Sequence, residues 1–335
     1  MTVLIVAASA ALFMCGQQAP AQTAAQAETP ARDRAVISVV VENDVFAGTD
    51  RNYTNGTRFE IVRPAEETNP WLRRAARAQP FVDLDGVELR DGFALSHTLY
   101  TAQDITDPDP PADSHPYAAH LSFQWFATAA DENSENTVLI DLGLIGPAAG
   151  GEFVQSNWHA LIDGDEPMGW DTQLKNEIVF ALAGQRVARH VGGRIGPLEY
   201  DAVTHAGLTL GTLRTAISAG GTVRIGTGLD ASYAPPRLRP AIGPSSLFRP
   251  GAGGGAYVFA GVGAYGVARD VFLDGNTFAD SRSVEKYPAV ADLQAGAEVR
   301  WKTWRAAFTY VLRTEQYRGQ DGPQGFGAVS VSRAF

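Results

Sequence analysis

GFGAVSVSRAF, residues Gly325–Phe335, ends the chain, and its reading decides the fold. Val329, Val331 and Phe335 recur at a period of two, the spacing of a strand with one apolar face. An aromatic last residue on that face suits a strand that ends at a membrane interface. Arg333 interrupts the face. A soluble β-sandwich explains the alternation, but neither the aromatic end nor the even spacing of the strands upstream.

Working back, Ala289–Trp301 and Trp304–Thr314 read as a hairpin about Lys302-Thr303. Nine further strand-like runs precede it: Val36–Asp44, Tyr53–Val62, Phe93–Tyr100, Tyr117–Thr128, Thr137–Ile145, Asp171–Val187, Ala202–Leu213, Thr222–Tyr233 and Ala256–Ala268. Twelve segments of roughly ten residues, after a candidate export signal, predict an all-β fold. It is a closed antiparallel transmembrane β-barrel with a short helix in an extracellular loop. WLRRAARA, between Pro64 and Pro80, is a second short amphipathic run.

Val3–Met14, VLIVAASAALFM, has the length of a secretory apolar region, and Ala25-Gln26-Ala27 offers a cleavage motif. Residues 1–27 are expected to be a signal peptide and 28–335 the barrel domain, although no charged side chain precedes Glu28. Cys15 is the single cysteine, so neither a disulfide within the chain nor a cysteine metal site can form. A net charge of −10 argues against a nucleic-acid partner. A closed sheet has no free edge, so a monomer is expected.

With both termini on the periplasmic side, connections after odd-numbered strands lie outside the cell. These are Ala47–Asn52, Thr101–Pro116, Gly146–Trp170, Arg214–Gly221, Arg269–Pro288 and Gln316–Gln324. Ala234–Gly255 and Arg63–Gly92 then become unusually long periplasmic connections. The third outer connection holds the polar groups best suited to chemistry, within Leu144–Glu177 (LIGPAAGGEFVQSNWHALIDGDEPMGWDTQLKNE). Glu152–Ile162 is helix-compatible, which would put Gln155 and His159 on one face. Glu152 lies near that face, and Asp165 and Glu166 follow. The same residues also read as a polar surface loop with one solvated histidine.

Val40–Gly56, VVENDVFAGTDRNYTNG, resembles the first two strands of the lipid A deacylase family of outer-membrane proteins. IGPAAGGEFVQSNWHALIDG is similar to that family's histidine loop, and GWDTQLKNE, DGNTFADS and the terminal strand extend the likeness. The resemblance implies a twelve-stranded barrel with a calcium-dependent esterase site at the outer rim. That site would remove the 3′-linked acyloxyacyl chain of lipid A in lipopolysaccharide. It implies Asn43, Asp44, Thr54, Gln155 and His159 as functional residues, with His159 catalytic and Asp165 the acidic metal position. The family's lysine on the third-strand loop has no counterpart in TAQDITDPDPPADSHP, Thr101–Pro116.

Ester hydrolysis needs a nucleophile, a base and stabilisation of an oxyanion. No GxSxG elbow is present, so water is the expected nucleophile and His159 the base. A carboxylate on the other ring nitrogen would fix its tautomer, and Asp44 is the candidate, either in that role or as a metal ligand. Asp165 and loop carbonyls would supply part of an oxygen shell for Ca2+. Asn43 and Gln155 are amide donors for water or oxyanion. A phospholipase of similar chemistry, and a non-catalytic porin-like barrel, are the alternatives.

Overall fold

The computed structural model describes residues 34–49, 51–77, 87–233 and 254–335. The expected signal segment and most of the Ala234–Gly255 connection lie outside these residues. Twelve antiparallel strands close on themselves. They are β1 (Val36–Asn43), β2 (Asn52–Val62), β3 (Glu88–Thr101), β4 (Ala118–Ala130), β5 (Ser134–Ile145) and β6 (Glu177–Ile195), then β7 (Leu198–Gly211), β8 (Arg214–Gly226), β9 (Gly255–Asp270), β10 (Ala289–Trp301), β11 (Trp304–Arg313) and β12 (Gln324–Ala334). Each strand bonds its sequence neighbours, and β1 bonds β12.

The alternation in the last strand is obeyed. Ala328, Ser330, Ser332 and Ala334 point inward and are buried, while Val329, Val331, Arg333 and Phe335 point out. Apolar side chains dominate the outward face all round, among them Phe59, Leu95, Phe123, Leu142, Ile178, Ile217, Val262 and Leu293. No helix among the described residues is long and apolar enough to cross a membrane; here the strands do the spanning. Arg333 is no flaw in the face. Its guanidinium lies 5.0 Å from the Trp304 ring centre and 4.6 Å from that of Phe335, a cation–π pairing at the end that carries both termini.

The lumen is polar but filled. Arg313 makes two bonds to Asp292 (2.8 and 2.9 Å), Arg300 pairs with Glu298 at 3.2 Å, and all four are buried. At the rim opposite the termini, Tyr53, Tyr100, Phe272 and Phe326 form a buried aromatic layer, with Tyr100 and Phe272 stacked at 4.0 Å. At the terminal end the chain after β8 folds back inside. The Ser232 carbonyl accepts from Arg224 (3.0 Å) and Arg189 (2.8 Å), and Tyr233 packs with Phe126 and Leu139.

Several boundaries depart from the sequence reading. Asp171 does not start a strand: Gly169–Thr172 is a 3-10 turn that buries Trp170, and β6 begins at Glu177. Arg214–Gly221, expected as an outer loop, is the first half of β8. Only Thr212 and Leu213 join β7 to β8. Its small residues, Ser218 to Gly221, blur the alternation, and Arg214 is drawn inward by Asp270 at 3.6 Å. Leu229–Tyr233, expected within a strand, forms part of the fold-back. Within the WLRRAARA run, WLRRAAR forms a helix, Pro70–Arg77, whose Trp71 stacks on the outward Trp125 at 5.8 Å, and Ala78 lies outside the described residues.

The loop between β3 and β4 caps the lumen. His115 is buried there, stacked on Tyr100 at 5.5 Å, with its Nδ1 2.8 Å from the Pro116 carbonyl. Burial pushes its pKa down to about 4. The folded cap refuses a proton that the opened cap accepts below about 6.5, so cap stability falls as pH drops from about 6.5 towards 4 and levels off beneath. Hydrogen exchange over residues 102–117, corrected for intrinsic rates, is expected to rise between pH 7 and pH 4.5. In His115→Phe it should not. Equal protection at both pH values in the wild type would contradict this.

Candidate active site

The site has two halves, and the first is the barrel wall. Register places Gly327, Asn43, Asn55, Leu99 and Ala119 in one row across β12, β1, β2, β3 and β4. Alternation from the exposed Ile37 turns Asn43 outward and its neighbour Glu42 inward. Glu42 accepts a hydrogen bond from Tyr53, whose ring crosses above Gly56. A Cβ at Gly56 would lie 2.1 Å from the Tyr53 hydroxyl, so the close approach demands glycine there. Outside the wall, the Asn55 amide donates to the Glu42 carbonyl (3.2 Å), and Asn43 Oδ1 accepts from the Val45 N–H (2.8 Å).

The Asn43 bond caps a 3-10 turn, Asp44–Ala47. Asp44 is fully buried in it, with Oδ2 accepting the Arg51 N–H at 2.6 Å. Thr54 is the extra residue of a β-bulge between Tyr53 and Asn55. The bulge turns its hydroxyl to Thr101, 2.8 Å away on the next strand. Asn43, Asp44 and Thr54 thus gather at the rim ends of β1 and β2.

The second half is a helix, Gly151–Ile162, laid over the outside of that wall. Gly150 enters it in the left-handed region (φ 74°), and at Gly151 an added Cβ would lie 2.5 Å from both Ala119 and Trp170. These two glycines let the helix begin in contact with β4. The Ala149 carbonyl is 2.9 Å from Nε2 of the outward-facing His97, which fastens the loop to β3. Gly151, Gln155 and His159, four apart, form the buried stripe; Glu152, expected beside them, is exposed.

Trp170 lies under the stripe and donates its indole N–H to Gln155 Oε1 at 2.9 Å. An indole can only donate, so the Gln155 amide nitrogen must face the other way. That nitrogen is buried and makes no hydrogen bond within the described residues. His159 Nδ1 is 2.5 Å from the main-chain carbonyl of Asp165. A carbonyl only accepts, so Nδ1 carries the proton and Nε2 is the basic nitrogen. A backbone carbonyl therefore does the orienting work expected of Asp44. Asp163 in the left-handed region (φ 57°) ends the helix and turns the chain back to make that contact.

Asp165 itself is exposed, and among the described residues no three His, Cys, Asp or Glu side chains converge on a metal position. The described residues thus form no carboxylate-rich calcium cage. The lysine-free loop is pinned from a neighbouring loop instead. Arg282 donates to the Pro110 carbonyl (2.6 Å) and to Asp109 (2.5 Å).

Two features escaped the sequence. One is that both halves face the bilayer side of the wall, which strand alternation cannot distinguish from the lumen. The other is Trp170, which the sequence reading left at the end of the Gly146–Trp170 connection with no role. The tryptophan in a Gly-flanked GWDT segment was the available signal.

The fold and this rim site define an outer-membrane β-barrel protein with a cluster of polar side chains at the rim of its lipid-facing wall. The chain belongs to the family of the outer membrane protein LpxR, lipid A 3′-O-deacylases, whose model matches residues 5–335. LpxR from Salmonella typhimurium has the same fold at a TM-score of 0.73 and 18% identity, covering 90% of this chain and 100% of that one. The β domain of the Bordetella autotransporter BrkA reaches a TM-score of 0.41 at 10% identity, over 90% of this chain and 98% of that one. No curated protein sequence matches the chain.

Proposed function

We propose that this protein is an esterase that hydrolyses the 3′-linked acyloxyacyl chain of lipid A, using water activated by His159. The observation that carries the reading is the pairing of His159 Nδ1 with the Asp165 carbonyl, on a buried helix face beside Gln155. Water attacks the acyl carbonyl carbon while its proton passes to Nε2 of His159. The Gln155 amide donates to the oxyanion. Collapse breaks the ester C–O bond, and the leaving sugar oxygen takes the proton from Nε2. The products are the free acyloxyacyl acid and a 3′-hydroxyl. Asn43, Asp44 and Thr54, at the rim ends of β1 and β2, are assigned the positioning of water and substrate.

Purified protein in detergent, offered lipid A and phosphatidylglycerol side by side, tests the substrate. Release of the acyloxyacyl acid from lipid A, with intact phospholipid, supports the reading. The reverse would make the protein a phospholipase.

Calcium dependence, which the family raises, enters as the cofactor to be measured. With few carboxylates at hand, a calcium response is expected to half-saturate at roughly 10⁻⁴–10⁻³ M. Chelation would then abolish turnover reversibly, and saturation at micromolar calcium would contradict the sparse ligand set.

The packed lumen disfavours the porin alternative. Aromatic packing shuts the rim and the Ser232–Tyr233 fold-back fills the terminal end. Planar bilayers containing the protein are expected to stay silent, and steady ohmic steps would overturn the closed-lumen account.

A further inference from the structure

The helix that carries Gln155 and His159 is amphipathic in the opposite sense to a helix of a soluble protein. Its polar pair is buried against the barrel, and its apolar residues are outside. Phe153 is 74% exposed and Leu161 76%, with Trp158, Val154 and Ile162 also exposed. At about 100° per residue, Phe153, Asn157, Leu161 and Val154 fill an arc facing away from Gly151, Gln155 and His159, and Trp158 flanks the stripe beside Gly151. Asn157 is the one polar residue in that arc, and its amide folds back onto the Phe153 carbonyl at 2.6 Å. A polar side chain satisfied by its own helix is what a low-dielectric surrounding requires.

The placement names the occupant of this face. The helix rests on the outward side of β3 and β4, through Gly151 on Ala119 and Ala149 on His97. On the same strands, further from the rim, Leu121, Phe123 and Leu95 are exposed, so the helix face continues the apolar belt of the barrel. Charged residues stand at its margins: Glu152 on one flank, Asp163, Asp165 and Glu166 beyond its end.

We infer that this helix is an interfacial element, its outer face sunk into the acyl–headgroup boundary of the outer leaflet. The polar face of the helix then lies at the level of the acyl chains, and a lipid reaches His159 by lateral diffusion without leaving the membrane. The inference deepens the proposed function by assigning the access route to the same site. The helix depth, however, is measurable whether or not any ester is cleaved.

Depth-resolved spin labelling tests it. Nitroxides are attached at Phe153→Cys, Leu161→Cys and Glu152→Cys in the full chain with Cys15→Ser, reconstituted in phosphatidylcholine vesicles. Labels at 153 and 161 are expected to collide more with oxygen than with water-soluble nickel-EDDA, and the label at 152 the reverse. A label at 161 as open to nickel-EDDA as that at 152 would overturn the inference. A Trp158→Phe difference spectrum gives a second readout. Quenching of the Trp158 component by lipids brominated near the headgroup end of the chain supports insertion, and its absence opposes it.

Discussion

His159→Ala is expected to lower kcat on lipid A by roughly 10²–10⁴-fold, the usual worth of a positioned general base. KM should change little, because the ring is buried beside the reacting centre and most substrate contact lies along the acyl chains. The fold should survive. His159 sits on a surface helix, while barrel closure rests on twelve strand pairings and the lumen ion pairs. Retention of the heat-modifiable folded band on a gel separates lost chemistry from lost structure. His159→Gln keeps a polar side chain but supplies no titratable nitrogen, so it should be as inactive as the alanine variant. Activity of either variant within tenfold of wild type would remove His159 from the base's role.

Gln155→Ala is expected to cost about 10²–10³-fold in kcat, the range for removing one oxyanion donor. The donor is the buried amide nitrogen, which Trp170 turns away from itself by occupying Oε1. Trp170→Phe then becomes informative. It keeps an aromatic ring in the cluster with Tyr117 and Ala149 but loses the N–H that fixes the amide. With one hydrogen bond lost, kcat should fall by roughly 3–10-fold at constant KM. In a Gln155→Ala background the same change should cost nothing more. A Trp170→Phe effect of equal size in both backgrounds would show that the indole acts through packing alone.

The barrel was legible because its signal is local. Val329, Val331 and Phe335 alternate against small inward residues, and the same pattern repeats in most other strands. It faded where both faces carry small side chains, as in Ser218–Gly221, and where a turn buries a tryptophan, as in Gly169–Thr172. The helix was legible as well, since Gln155 and His159 share a face at four-residue spacing. What it covers was not, because the direction in which a loop folds over a barrel depends on contacts such as Gly151 on Ala119 and His97 on Ala149. The partner of His159 Nδ1 was out of reach for a different reason. Sequence reading looks for side chains, and the acceptor is a main-chain carbonyl positioned by the left-handed Asp163. Asn43 and Asp44 were found by resemblance; as strand-end residues they carry no distinguishing pattern.

Mass spectrometry of lipid A from cells expressing the wild-type chain or His159→Ala, at equal levels of folded barrel, tests the central claim most directly. The account predicts loss of one acyloxyacyl mass from lipid A in the wild type alone. Full-length lipid A in both, or equal deacylation in both, would contradict it.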